Sequence, residues 1–238
     1  MGFFSTIETF TLDLLFPISC AGCGREDAHL CSGCVLTMPI WAPACFVCKK
    51  IVPADDAIPA GRTCRPCREK SRIYASFSPY SYDHPAIRAL IHDLKYRRMR
   101  GAAPALGDIL ITALSFYGVS LPRDAFLVPI PLYPARARVR GFNQAHLLAD
   151  HIGKELGISV CADLLKKIKN TRPQMQLSRD ERLKNVSNAF AVSDSAAVAN
   201  RTIILLDDVK TTGATLESAA RALKRAGARK IWALTVAR

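Results

Sequence analysis

The sequence predicts an α/β protein, a doubly wound and mainly parallel sheet, preceded by a small cysteine-rich module. Three observations carry this reading. From about residue 72 onward, strand-length apolar runs alternate with segments of helical period. Eight of the nine cysteines fall in four Cys-x-x-Cys pairs within 48 residues. The charge divides at the same place. The chain has 33 Lys+Arg and 20 Asp+Glu, and residues 1–70 hold 7 of each, so the net +13 belongs wholly to residues 71–238. The expected modules are therefore 1–70, an N-terminal helix with paired metal knuckles, and 71–238, with the boundary near 68–75.

At 238 residues, 50% hydrophobic and 22% charged, the composition is that of a globular protein rather than a disordered or fibrous one. No apolar run approaches the roughly 18 residues of a membrane span. Met1 to Pro17 carries Glu8 and Asp13 and no Lys or Arg, so the basic start of a secretory signal is missing. A cytoplasmic location is expected. Met1-Gly2-Phe3-Phe4-Ser5-Thr6 fits the loose N-myristoylation pattern, which chance also produces often.

The cysteine pairs are Cys20/Cys23, Cys31/Cys34, Cys45/Cys48 and Cys64/Cys67. Each pair can present two thiolates to one ion, and two pairs complete a tetrahedral Zn²⁺ site. Eight ligands imply two zinc ions. Disulfides would need an oxidising compartment, and four redox pairs in a row are excessive. Sequential pairing (Cys20, Cys23, Cys31, Cys34, then Cys45, Cys48, Cys64, Cys67) needs the shortest loops; a cross-braced pairing is the alternative. His29 is expected to be a bystander and Cys161 a buried apolar residue. So short a module buries little apolar surface, so metal would supply its folding energy.

The elements of the larger part follow in order. Ile87, Leu90, Ile91 and Leu94 mark an amphipathic helix ending in the basic run Lys95-Tyr96-Arg97-Arg98. A second helix spans about 103–116. Residues 125–130 read as a buried strand and 131–142 as the loop at its end. Asn143 to Leu156 is helical, stopped by Gly157. Short strands are expected near Val160 and Phe190. Thr202 to Leu206 is a buried strand, Leu216 to Leu223 a helix stopped by Gly227, and 230–236 a last strand. Uniformly apolar strands between helices indicate a parallel sheet covered on both faces, which binds ligands at the carboxyl ends of its strands.

The most specific segment is Ile203-Ile204-Leu205-Leu206-Asp207-Asp208-Val209-Lys210-Thr211-Thr212-Gly213-Ala214-Thr215. A strand runs into two carboxylates, then a Thr/Gly turn, then a helix start. Backbone N–H groups at such a start can hold a phosphate, with hydroxyls from Thr211, Thr212 and Thr215. The acids repel phosphate and suit sugar hydroxyls or a metal. Arg136, Arg138, Arg140 and Gly141 form a second candidate anion loop. Ser178 to Glu181 reads as a capping box that starts a helix.

The string Asp-Asp-x-x-Thr-Thr-Gly after an apolar strand resembles the phosphoribosyl-pyrophosphate motif of type I phosphoribosyltransferases. Val128 to Leu132, Arg140-Gly141-Phe142-Asn143-Gln144, Leu94-Lys95-Tyr96 and Thr171-Arg172-Pro173-Gln174 resemble the competence protein F family, as do the cysteine knuckles. So do Gln176-Leu177-Ser178 and Glu181-Arg182 with Asn185. The resemblance implies a type I phosphoribosyltransferase-like domain behind a double zinc ribbon, binding phosphoribosyl pyrophosphate with Mg²⁺. It implies that Asp207 and Asp208 face the ribose hydroxyls, that residues 211–215 (Ala214 included) cradle the 5′-phosphate, and that Arg172, Gln174 and Gln176 belong to a mobile lid. Transfer of phosphoribosyl to an acceptor, with pyrophosphate leaving, is the expected chemistry. The alternative is a non-catalytic competence factor that handles single-stranded DNA or serves a competence helicase-type protein. Basic tracts at 95–100 and 166–172 would follow a strand backbone, though aromatics for stacking are sparse, with Tyr96 and Phe142 the best placed. A zinc-ribbon adaptor for a protein partner is a third expectation.

Overall fold

A computed structural model describes residues 18–55, 58–170 and 188–238. The expected lid residues and the capping box lie outside them. Cysteine knuckles, a short helix α1 (Ser32–Thr37) and a 3₁₀ turn (Arg65–Cys67) make up the first part. Then come β1 (Ala75–Phe77), α2 (Pro85–Tyr96), α3 (Ala102–Phe116), β2 (Phe126–Pro129), α4 (Pro134–Arg140), α5 (Gln144–Leu156) and β3 (Leu165–Lys167). From residue 188 onward follow β4 (Phe190–Val192), α6 (Ser195–Val198), β5 (Thr202–Val209), α7 (Ala214–Arg225) and β6 (Lys230–Ala237). Among the described residues, no helix is long and apolar enough to cross a membrane.

Four strands form one parallel sheet in the order β1-β6-β5-β2. Side chains alternate across a strand, and β5 shows the consequence. Ile204 and Leu206 join the core on one face with Leu90, Leu106 and Leu148. Ile203 and Leu205 join the core on the other with Leu216, Leu223 and Phe190. Both faces are covered, as the continuous apolar runs require. The antiparallel pair β3-β4 stands apart from this sheet. Near Val160 a single parallel bridge to Leu127 forms rather than a strand. Cys161 is half-buried rather than enclosed.

Local chemistry sets the element ends. Asn143 caps α5 by accepting the Ala145 N–H at 3.1 Å, and Gly157 closes it in the left-handed region. The expected loop at 131–142 is instead largely helix α4. Pro134 presets its first turn, Ala and Arg are good helix formers, and Gly141 ends it at φ 83°.

The cysteine-rich part is packed into the larger one. Met38 and Ala60 belong to one face's core and Phe46 to the other's. Glu217 of α7 accepts from Ser71 Oγ at 2.7 Å and from the Arg72 N–H, stitching the junction. Gly61 lies against the strand β1, where a Cβ would sit 2.1 Å from the Ser76 carbonyl oxygen. No side chain fits that approach.

Candidate functional site

The cysteines gather as two groups, Cys20, Cys23, Cys31, Cys34 and Cys45, Cys48, Cys64, Cys67, with the sulfurs of each within 4.8 Å of one another. At a Zn–S distance of about 2.3 Å, a tetrahedral site has S···S edges of about 3.8 Å. Cys23 and Cys31 Sγ are 3.7 Å apart, and Cys48 and Cys64 Sγ 3.6 Å. The two clusters therefore fit two structural zinc sites. Backbone N–H groups of Gly22 and Cys31 point at Cys20 Sγ, at 3.4 and 3.3 Å, as suits a thiolate. The pairing is sequential. His29 stands outside the cluster, against Gly101.

The second site lies at the carboxyl end of β5. The strand emerges from the core at Asp207, and Asp208 is buried at 3% exposure. Asp208 Oδ2 lies 2.7 Å from Nζ of Lys95, which projects from the last turn of α2. Burial opposes the Lys95 charge, but Asp208 beside it holds the pKa above the ordinary lysine value. The Asp208 N–H donates to Asp207 Oδ1 at 2.9 Å. Burial, reinforced by the neighbouring Asp208 charge and partly offset by Lys95, raises the Asp207 carboxyl to about 7.

The loop beyond is pinned from below. The Lys210 N–H donates to Ala237 O at 2.8 Å, and Lys210 Nζ to Phe46 O at 2.8 Å. Burial lowers Lys210 to about 8, with Arg238 and Lys49 pushing the same way. Gly213 takes φ 79°, and a Cβ there would meet the Phe46 ring at 2.7 Å. Any other residue would be both strained and blocked. Ala214 then starts α7, with its N–H near Thr212 Oγ1 at 3.3 Å. Thr211 is exposed, and Thr212 and Thr215 are half-buried.

Of the arginines, Arg136 is half-buried. Burial lowers Lys167, Arg136 acts in the same sense and Asp207 in the opposite one. Arg138 is exposed. Arg140 turns away: it donates to Gln144 Oε1 at 2.7 Å and lies 5.8 Å from the Tyr96 ring centroid. Gly141 serves as the exposed helix stop.

The fold gives Lys95 and Lys167 surroundings that the sequence pattern does not convey. The pattern places both on basic tracts facing a nucleic acid; in the fold Lys95 pairs with Asp208 at the carboxyl end of β5, and Lys167 lies 5.7 Å from the Phe190 ring centroid, with the Asp207 charge acting on it. The signals for Lys95 are its place in the family-like Leu94-Lys95-Tyr96 segment and directly after the buried Leu94 on an amphipathic helix. The signal for Lys167 is weaker, a cation in a three-residue strand.

The Asp207 shift has a testable sign. Between about pH 4, the ordinary carboxyl range, and pH 7 the folded chain keeps a proton that the unfolded chain has released. Stability therefore falls as pH rises through that window. Asp207→Asn is expected to raise the melting temperature at pH 8 and to change it little at pH 4. Equal shifts at both values would contradict the burial of this carboxylate.

The chain matches the phosphoribosyl transferase domain family over residues 142–238 and the double zinc ribbon domain family over 11–68. It is 30% identical to the DNA utilization protein YhgH of Salmonella typhimurium strain LT2 over 221 residues, covering 90% of this chain and 87% of that one. It is 28% identical to competence protein F of Haemophilus influenzae over 221 residues, 90% of this chain and 89% of that one. Among solved structures, glutamine phosphoribosylpyrophosphate amidotransferase from B. subtilis is 18% identical over 57% of this chain and 26% of its own, with a TM-score of 0.39.

Proposed function

The chain belongs to the competence protein F family, and on that basis we propose that it binds phosphoribosyl pyrophosphate with Mg²⁺ and transfers the phosphoribosyl group to an acceptor. One observation carries the reading: Asp207, Asp208 and the Thr211–Thr215 turn stand together at the carboxyl end of β5, with Lys95 paired to Asp208 and the Lys167 charge in electrostatic reach of Asp207 and Arg136. In this reading the turn and the first N–H groups of α7 hold the 5′-phosphate. Asp207 accepts from ribose hydroxyls, which relieves its buried charge. Asp208 acts at one remove, fixing Lys95. Arg136 and Lys167 meet the pyrophosphate, whose negative charge grows as the bond to ribose C1 breaks. Mg²⁺ bound with the ligand would neutralise part of the same charge, and Asp207, near the carboxyl end of β5, is the carboxylate suited to it. The two cysteine clusters serve as structural zinc sites, and the family resemblance assigns Arg172, Gln174 and Gln176, outside the described residues, to a lid over the ligand.

Calorimetry with phosphoribosyl pyrophosphate and Mg²⁺ is the test, followed by release of pyrophosphate across a set of nucleobases. Asp207→Asn is expected to weaken binding about ten- to a hundredfold, since a charged hydrogen bond contributes about 1.5–3 kcal/mol. No heat of binding in the folded wild type would end this reading.

A second reading rests on a different observation. The basic stretch after α2 meets α4: Arg98 donates to Val139 O at 2.8 Å, and Arg100 lies 5.1 Å from the Phe142 ring centroid. Arg97, Arg98, Arg100 and Arg138 thus share one exposed ridge with Tyr96. Such a ridge supports a grip on single-stranded DNA in a competence role, without turnover. Replacing Arg97, Arg98 and Arg100 by alanine is then expected to lower DNA affinity. Its salt dependence should flatten by about 0.7 log units for each phosphate that the strand no longer presents to an arginine. Lys95 does not belong to this set, because Asp208 holds it. Unchanged affinity and slope in the triple variant would remove the ridge as the DNA surface.

A further inference from the structure

On the side of β5 away from β2, a cavity of about 600 Å³ opens between the second cysteine cluster and the carboxyl ends of β5 and β6. The arginine helix follows β2, so this cavity lies across the strand from Arg136. It touches the phosphate-loop candidates only at Thr211.

Its walls are of two kinds. Ile40, Trp41 and Ile51 give an apolar, partly exposed face. Lys49, Lys210 and Arg238 bring three cations, and no acid is among the described lining residues. Each is fixed from behind. The Trp41 N–H donates to Pro79 O at 2.6 Å and the Arg238 N–H to Tyr80 O at 3.0 Å, so neighbouring residues anchor both. That arrangement leaves the Arg238 guanidinium 4.5 Å from the Trp41 ring centroid. Lys49 takes φ 62° in the tight turn after Cys48, with its N–H on Cys45 O at 3.1 Å. Lys210 gives one N–H to Phe46 O and lies 4.1 Å from the Phe46 ring centroid, and its ammonium has three N–H donors in all.

Like charges held together without an acid repel one another, and an anion placed among them relieves that cost. A flat ring fits against Trp41 and the isoleucines, while the volume lies within the roughly 300–1,000 Å³ of small-molecule sites. The geometry points to a second ligand site, one that takes a nucleoside monophosphate, its phosphate on Lys49, Lys210 and Arg238 and its base against Trp41. The site is built on the second cysteine cluster and is separate from the one proposed for phosphoribosyl pyrophosphate. The monophosphate is either a free nucleotide or the 5′ end of a strand.

Tryptophan fluorescence of the full chain tests this directly. The chain has two tryptophans, and Trp232 is buried while Trp41 is 37% exposed. Titration with dAMP is expected to quench the Trp41 emission saturably, and Trp41→Phe to abolish the quench. Lys49→Asn, chosen because Asn tolerates a positive φ, and Arg238→Gln are each expected to weaken dAMP about tenfold. Circular dichroism checks that both variants stay folded. The quench is expected to persist under saturating phosphoribosyl pyrophosphate and Mg²⁺. A 5′-phosphorylated oligonucleotide that competes with dAMP, where its 5′-hydroxyl form does not, identifies a strand end as the source; failure of both identifies the free nucleotide. No quench up to millimolar dAMP, equal affinity in both charge variants, or loss of the quench under phosphoribosyl pyrophosphate would each overturn the assignment. The last would place the nucleotide in the phosphate loop.

Discussion

Replacing Cys45 by serine is expected to remove one of two bound zinc ions and to unfold the segment around the second cluster. Structural zinc contributes an apparent 10–16 kcal/mol or so in zinc-finger peptides, as much as the whole stability of a typical domain. Cys45 is 1% exposed, and the residue after it links the cluster to the proposed phosphate loop. Phe46 O accepts Lys210 Nζ, and its ring occupies the space a Cβ on Gly213 would need. The effect should therefore reach beyond the cluster. Cys45→Ser is expected to weaken the ligand of the proposed phosphate loop at least about tenfold, whereas Cys23→Ser, at the exposed cysteine of the first cluster, is expected to lose zinc with little change there. Elemental analysis of protein purified without added metal gives the stoichiometry, and calorimetry gives the coupling. A metal content near zero, with disulfides intact by mass spectrometry, would refute the zinc assignment. Equal binding losses in both variants would refute the link through Phe46.

Asp208→Asn is expected to destabilise the fold by about 3 kcal/mol, because it leaves the Lys95 ammonium without a partner at a site where the carboxylate is 4% exposed and the lysine 20%. Asp207→Asn is expected to do the reverse above pH 7. The two acids are adjacent in sequence yet opposite in effect on stability. A simple view of both as ribose ligands would have the double asparagine variant fold like the wild type; the Lys95 pair says that it does not. Adding Lys95→Met to Asp208→Asn should recover much of the loss, so the two changes are strongly non-additive. Denaturant melts of the two single variants and the double variant measure this. Additive costs would mean that the ion pair contributes nothing.

Local and periodic features of this protein are written in its residues. The apolar runs at Thr202–Leu206 and 230–236 define strands because a sheet covered on both faces has no polar side to show. Helices at 85–96, 102–116 and 144–156 follow from their period and stops. The Cys-x-x-Cys spacing specifies knuckles because two sulfurs on one tight turn meet one ion. The Asp207–Thr215 string is legible for the same reason: strand, acids, turn and helix start are contiguous in the chain. Packing settles what lies across the fold. Lys95 is 113 positions before Asp208, and only the docking of α2 on the sheet turns a surface-like cation into a buried partner. Arg140 belongs to the right segment but, once the segment coils into α4, points to Tyr96 rather than to the acids. Phe46 looks like filler between two cysteines until the cluster sets it under Gly213. A one-dimensional pattern carries spacing within a turn or a strand; it does not carry which faces meet, since that is fixed by the summed burial of all of them.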